Sequence, residues 1–476
     1  MAEETLEQIL SLVDNSLRID GNRVLVTNEA KLRAKVYDLV RVSALGEGKP
    51  QALARFLIRG AALALGIAPA SIHDVYIARG RGEVPPNFTV PAMNLRVLSY
   101  DAARAVFRIA HSINAGAFIF EIARSEIGYT HQRPAEYVTN MLAAAIAENH
   151  RGPVFIQGDH FQVSASRYQE DPDKEVQTVK DLITEAVEAG FYNIDVDTST
   201  LVDISFEDVT QQQELNSRLS AELTQFIRTL EPEDVTVSVG GEIGEVGGHN
   251  SNEAELRAYV MGYNARLGAI DPQAQGLSKI SIQTGTSHGG VVLPDGSIAD
   301  VAVDFDTMLA LSRIAREEFG TAGAVQHGAS TLPQDAFGKF VESQACEIHL
   351  ATNFQNIFYD HAPEAFVKEI YAYLDHNHSD ERKDGETAEQ FYYKTRKKAI
   401  GPFKQAAWDL SDDLKRKITT AWEAQFTHLF HALNISETQK YVEAFTTLPT
   451  GMPSMSDYLR SAGVEVETED VSDLSD

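Results

Sequence analysis

A single cysteine, Cys346, in 476 residues excludes an intramolecular disulfide and fits a reducing compartment. Positive charge is scarce too. The 41 lysines and arginines face 69 aspartates and glutamates, giving a formal charge of −28 and a pI near 4.9. A nucleic-acid surface needs positive charge to displace counterions, so that class of partner is not expected. An anionic substrate would need local help from a few arginines or helix N-termini. Long apolar runs are also missing. The most apolar helix-like stretch, Ala52 to Ala70, carries Arg55 and Arg59, whereas a membrane span needs ~20 apolar residues without such charges. The start, Met1-Ala2-Glu3-Glu4, lacks the basic region and apolar core of a signal peptide. These absences predict a cytoplasmic protein with neither a membrane nor a nucleic-acid partner.

What is present is ordinary globular material, 43% apolar and 23% charged, enough for a large core. Residues 1–85 read as a helical N-terminal extension, with helices at Glu4–Leu17, Asn28–Ser43 and Lys49–Leu65 marked by apolar residues three and four apart. The Gly/Pro-rich stretch Arg79 to Pro86 is a natural boundary. Eight short apolar runs then alternate with amphipathic stretches: Thr89–Asn94, Ala117–Ile122, Pro153–Gly158, Phe191–Asp197, Val235–Glu242, Lys279–Gly285, Gly323–His327 and Glu347–Thr352. Such alternation implies right-handed βαβ units and a parallel sheet. Eight units over roughly 260 residues is the size of a (β/α)8 TIM barrel, with an open doubly wound sheet as the competitor. The expected domains are the barrel at 86–358, a helical C-terminal extension at 359–462 and an acidic disordered tail at 463–476.

Polar residues gather where the runs end. Asp159 and His160 follow the third, Asp197 ends the fourth, Glu242 ends the fifth, His288 follows the sixth and His327 closes the seventh. In a barrel these positions share one face, where active sites are built. Three histidines with nearby carboxylates and an open position make a candidate catalytic metal site. A lone histidine at a strand end is more often a hydrogen-bonded polar residue; three on one face are harder to dismiss. Between residues 90 and 350 the lysines are Lys174, Lys180, Lys279 and Lys339. None is placed to form a Schiff base, because Lys279 begins its strand, at the opposite end. Carbonyl activation is therefore expected to come from a metal.

With these residues in view, the sequence resembles the class II (zinc-dependent) ketose-bisphosphate aldolases from about Val90 to Phe358, and more faintly to Lys404. The motifs are Gln157-Gly-Asp-His160, Asp195-Val-Asp-Thr-Ser199, Gly241-Glu-Ile-Gly-Glu-Val-Gly-Gly248, Gly285-Thr-Ser-His-Gly289, Gln326-His-Gly-Ala-Ser330 and Leu350-Ala-Thr-Asn353. The last two look more like the tagatose-bisphosphate branch. The resemblance implies a zinc ion, or another divalent metal, on His160, His288 and His327. Glu242 and Asp197 would be carboxylates that support or bind it, and Asp159 the acid/base facing the C4 hydroxyl. Gly289, Gly328, Ser330, Ala351 and Thr352 match the loops that hold one substrate phosphate, usually with a monovalent cation (sodium or potassium). Arg396 matches an arginine that meets the second phosphate.

The chain departs from that pattern in places. His249-Asn250 stands where the family often has acidic residues, with Glu245 as a substitute. His349 replaces an asparagine near the enediolate, and Ala123, with Ser125 two positions on, replaces a serine. Asp195 is expected one layer deeper on the face of Asp197. His361, His376 and His378 read as surface residues, Arg396-Lys397-Lys398 as a solvated face apart from Arg396, and Cys346 as buried and inert. The implied reaction is reversible cleavage of fructose 1,6-bisphosphate, or of tagatose 1,6-bisphosphate, by a homo-oligomer. A non-catalytic accessory subunit and a zinc hydrolase are the rivals. Retention of Asp159 and the histidines opposes the first, and the lack of paired histidines on the first strand opposes the second.

Overall fold

The computed structural model describes residues 2–244, 249–285 and 303–463. The expected runs become eight parallel strands: β1 Val90–Asn94, β2 Ile119–Ala123, β3 Gly152–Gln162, β4 Asn193–Asp197, β5 Ser238–Glu242, β6 Lys279–Ile282, β7 Ala324–Gln326 and β8 Glu347–Leu350. Each pairs with the next, and β8 closes on β1 with Glu347 opposite Val90 and His349 opposite Ala92. The sheet is a closed (β/α)8 barrel. Helices between strands begin and end where local chemistry directs. Before Pro172–Ala189, for example, Asp171 accepts from the Lys174 N–H, Pro172 takes the first position, and Gly190 ends the helix at φ +113°.

Strand β3 departs from the expected end at Gly158 and runs on to Gln162. Its register against β4 shifts between Gly158 and Phe161, and His160 sits at φ +39°. Strict alternation would send Asp159 and His160 to opposite faces. The bulge turns both inward: Asp159 reaches His349 at 3.1 Å and His160 reaches Asp197 at 3.1 Å. A left-handed non-glycine residue costs about 1–3 kcal/mol, borne at a residue that the sequence marks for chemistry. Gly158 makes the bulge possible, because a Cβ there would lie 2.5 Å from the Phe161 ring.

The N-terminal extension carries more than the three expected helices, which are Ala2–Ser11, Glu29–Leu45 and Gly48–Ala64. A hairpin, Leu17–Asp20 with Arg23–Val26, lies between the first two. Its Asp20-Gly21-Asn22 turn, with Gly21 at φ +61°, is a hairpin signal overridden by the helical reading of its neighbours. Strand Ile67–Ala70 pairs with the first half of β3, and helix His73–Gly80 occupies part of the expected connector. From the other end of the chain, Trp422 donates its indole N–H to the Phe354 carbonyl at 2.9 Å. The core is continuous from Val13 through the strands to Phe430. Residues 464–476 of the acidic tail lie outside the described residues. No helix among the described residues is long and apolar enough to cross a membrane.

The barrel interior is polar. The buried Lys279 ammonium contacts Glu347, Asp195 at 2.9 Å and Gln157 at 2.7 Å. Tyr76, from helix His73–Gly80, donates to the other oxygen of Glu347. Carboxylates buried like this are tolerable only with a partner. Lys279→Met should therefore lower stability by about 3–5 kcal/mol, read as an earlier urea midpoint. An unchanged midpoint would show that the ammonium does not hold these acids in the barrel.

Candidate active site

The strand ends bring together residues far apart in sequence. His160 Nδ1 lies 3.1 Å from Asp197 Oδ2 and 3.4 Å from Glu242 Oε2. The His327 ring lies between two others and is tilted to both, its centroid 4.1 Å from that of His160 at 43° and 4.0 Å from that of His349 at 40°. Its Nε2 is 3.9 Å from Glu242, and its Nδ1 is 3.8 Å from Asp159. His160, Glu242 and His327 thus offer donor atoms close enough to share one ion. His288, the remaining expected ligand, lies outside the described residues, as do Gly289 and Glu245.

Asp197 is saturated. It accepts from Gln162 at 2.6 Å and from both the Ser199 hydroxyl and N–H, at 2.7 and 3.0 Å, besides facing His160. That places it behind the histidine, fixing the ring. Burial works against its charge, yet these donors hold its carboxyl below the usual range. For His160 burial again opposes charge, but Asp159, Glu242 and Asp197 outweigh it and push the imidazole up to about 10. Burial, reinforced by Asp197, pushes Glu242 up to about 8. Both shifts mark a place where the surrounding carboxylates favour added positive charge. Two imidazoles and a carboxylate are the donor set of a catalytic zinc-type site, so the residues fit the ion that the sequence implies.

His349 stands among carboxylates. Its Nδ1 lies 3.0 Å from Glu121 and 3.1 Å from Asp159, and its Nε2 lies 2.7 Å from Glu347. The Nε2 contact is an ion pair whose angle falls outside hydrogen-bond geometry. Burial disfavours the imidazolium, but Glu121 and Asp159 hold its proton well above the usual histidine range. Asp195 lies one layer deeper, on Lys279, as strand alternation implies. Glu121 and Glu347 escaped the sequence reading, although a carboxylate inside Phe118-Ile-Phe-Glu-Ile122 is a signal of its own. Glu347 also shares the face of His349 by the two-residue period.

A small cavity of about 20 Å³ opens among Glu121, Asp159, His327, Gly328, Ser330, His349, Ala351 and Thr352, with Asn94 and Arg96 at its side. Gly328 has φ +69°, and Ser330 accepts from the Ala351 N–H at the start of helix Thr352–His361. The expected phosphate-type loops therefore adjoin the metal candidates. Arg396 is not among the residues lining this cavity. It stacks on Tyr359 and Tyr393, 4.7 and 4.5 Å from the ring centres, and donates to Asn356. Ser125 is buried. His249 is exposed and 3.9 Å from Glu255. His361, His376 and His378 form no shared donor set among the described residues. Cys346 is buried, and burial pushes its thiol up to about 12.

A sequence profile of the family described as fructose-bisphosphate aldolase class-II matches residues 85–407. A search of curated proteins gave no match. Among solved structures, a probable tagatose 6 phosphate kinase from Sinorhizobium meliloti 1021 shares 16% identity at TM-score 0.54, covering 72% of this chain and 100% of that one. The YdjI aldolase from Escherichia coli K12 shares 15% at TM-score 0.47, over 78% and 99%. A fructose-bisphosphate aldolase from Campylobacter jejuni shares 17% at TM-score 0.46, over 78% and 97%. At these identities, the TM-score of 0.54 supports the shared barrel fold and nothing finer.

The raised imidazole and carboxyl predict how metal uptake depends on pH. A ligand must be neutral imidazole or ionised carboxylate, and below about 10 His160 carries a proton, joined by Glu242 below about 8. Affinity should therefore rise with pH across the neutral range. Binding at pH 7 should release about one to two protons, measured by calorimetry in buffers of different ionisation enthalpy. Uptake without proton release would contradict this charge assignment. The stability that His160 gains from its carboxylates without metal is present below its unfolded value of 6.5 and lost as pH rises through about 10.

Proposed function

The chain belongs to the class II fructose-bisphosphate aldolase family, and we propose that it reversibly cleaves a ketose 1,6-bisphosphate to dihydroxyacetone phosphate and glyceraldehyde 3-phosphate. Fructose 1,6-bisphosphate is the leading substrate and tagatose 1,6-bisphosphate the alternative. The observation that carries the reading is the bulge in β3, which aims Asp159 and His160 into one barrel mouth.

His160, His327 and Glu242, with His288, would hold a divalent metal, zinc first. When bound, that ion supplies the positive charge that stabilises the enediolate left by cleavage of the C3–C4 bond. Asp159 takes the proton from the C4 hydroxyl as that bond breaks and returns it in the reverse direction. Asp197 keeps His160 oriented through its ring nitrogen. The loop at Gly328 and Ser330 and the helix start at Thr352 would take one phosphate on backbone N–H groups, beside a monovalent cation, with Ala351 tied to the Ser330 hydroxyl behind them. Arg396, already held flat between two tyrosines, would receive the second. An accessory subunit without activity would have no use for Asp159 and the histidines together on one face.

A coupled assay on both bisphosphates tests this. Activity should vanish with chelator and return with zinc; turnover that survives complete metal removal would overturn the mechanism. Asp159→Ala should keep metal at His160 and Glu242 while kcat falls about 10²–10⁴-fold. Unchanged turnover would remove Asp159 from its role.

A further inference from the structure

Beyond the expected metal set, His327 presents its other face to a second group of donors. We propose that Asp159, His327 and His349, with Glu121 beside them, form a second divalent-cation position in the barrel. It lies across the His327 ring from His160 and Glu242. His327 would serve the two positions through opposite nitrogens as a bridging imidazolate, its ring proton released when the second ion binds: Nε2 lies toward Glu242 beside the Ser281 hydroxyl at 2.9 Å, and Nδ1 lies toward Asp159.

The geometry suits one ion. Donors bound tetrahedrally to zinc at about 2.0–2.1 Å stand roughly 3.3 Å apart. The observed pairs bracket that spacing: 3.0 Å for Glu121 to His349, 3.1 Å for Asp159 to His349 and 3.8 Å for Asp159 to His327. All four residues line the cavity of about 20 Å³, which is room for a single ion or water. Glu121 is 1% exposed, and its Oε1 has no hydrogen-bond partner among the described residues, a demand that a buried carboxylate oxygen rarely leaves unmet. On its far side His349 faces Glu347, which Lys279 and Tyr76 hold in place. That carboxylate stands behind the ring as an ion-pair partner, outside hydrogen-bond geometry. The neighbouring trio Glu121, Glu347 and His349 is a weaker site, because the Lys279 ammonium already sits on Glu347. Mixed imidazole and carboxylate donors select zinc, cobalt, manganese or iron over calcium and magnesium.

An ion in this position uses Asp159, so it stops proton transfer without displacing the first metal. That inhibitory consequence rests on the aldolase reading; the metal count does not.

The test is calorimetric titration of chelator-stripped full-length protein with Zn²⁺ and Co²⁺, with bound metal counted by elemental analysis. The expected result is two equivalents, with His349→Asn binding one. Glu121→Gln, which preserves shape, should weaken the second step at least ~10-fold. If His349→Asn fails to fold, Glu121→Gln decides. Saturation at one equivalent, or a second step unchanged in Glu121→Gln, overturns the proposal. On the aldolase reading, cleavage should rise with the first equivalent and fall with the second. Two equivalents in a protein without aldolase activity would uphold the site and remove the aldolase reading instead.

Discussion

The barrel of this chain is organised around a surplus of acid in its interior. Glu121, Asp159, Asp195, Asp197, Glu242 and Glu347 converge on the axis, where a low dielectric magnifies every charge. They are accommodated in several ways. Asp197 is saturated by hydroxyl, amide and imidazole donors. Asp195 and Glu347 share the Lys279 ammonium. Glu121 and Asp159 share a histidine, and Glu242 is pushed up to about 8 by burial and by its neighbour Asp197. The gradient runs from a floor neutralised by a fixed lysine to a mouth whose acids still call for a cation. The candidate metal donors sit at the mouth end of that gradient.

Much of this was legible in the residues. Strand period and strand ends are local properties, so the eight runs and the gathering of Asp159, His160, Glu242 and His327 at one end could be read without coordinates. The resemblance that those motifs carry led to the same family that the sequence profile identifies. What escaped was non-local or contrary to the period. The bulge in β3 breaks the alternation on which strand reading depends, and its cause, the close approach of Phe161 to Gly158, appears only once the strand is folded. Glu121 and Glu347 were passed over because a buried strand reads as apolar. Their partners, His349 and Lys279, come from distant strands. The first hairpin was hidden by strongly helical neighbours.

His349 shows how one side chain shapes a site. An amide can accept and donate but carries no charge; an imidazole can hold a proton or a metal. Placing it between Glu121 and Asp159 couples the acid/base candidate electrostatically to the barrel floor through Glu347 and Lys279. In the neighbouring phosphate-type loops, which line the same cavity, Ser330 and Ala351 bond to each other. Binding groups and charge-handling groups therefore adjoin along the same strands, Ala351 and Thr352 following directly on the strand that carries Glu347 and His349.

The helix His73–Gly80 gives the N-terminal extension a meaning that its position in the chain conceals. Tyr76 reaches the interior carboxylate of Glu347 from outside the barrel. The buried Arg79 ties the Phe88 carbonyl to those of Gln344 and Ala345, where β1 and β8 begin. Strand Ile67–Ala70 meanwhile lies along the base of β3. A catalytic fragment trimmed at the start of the first barrel strand would thus lose the stopper of its own lumen. Water would gain entry from below to the ions that position His349. The boundary suggested by composition would be, for anyone shortening this protein, the wrong place to cut.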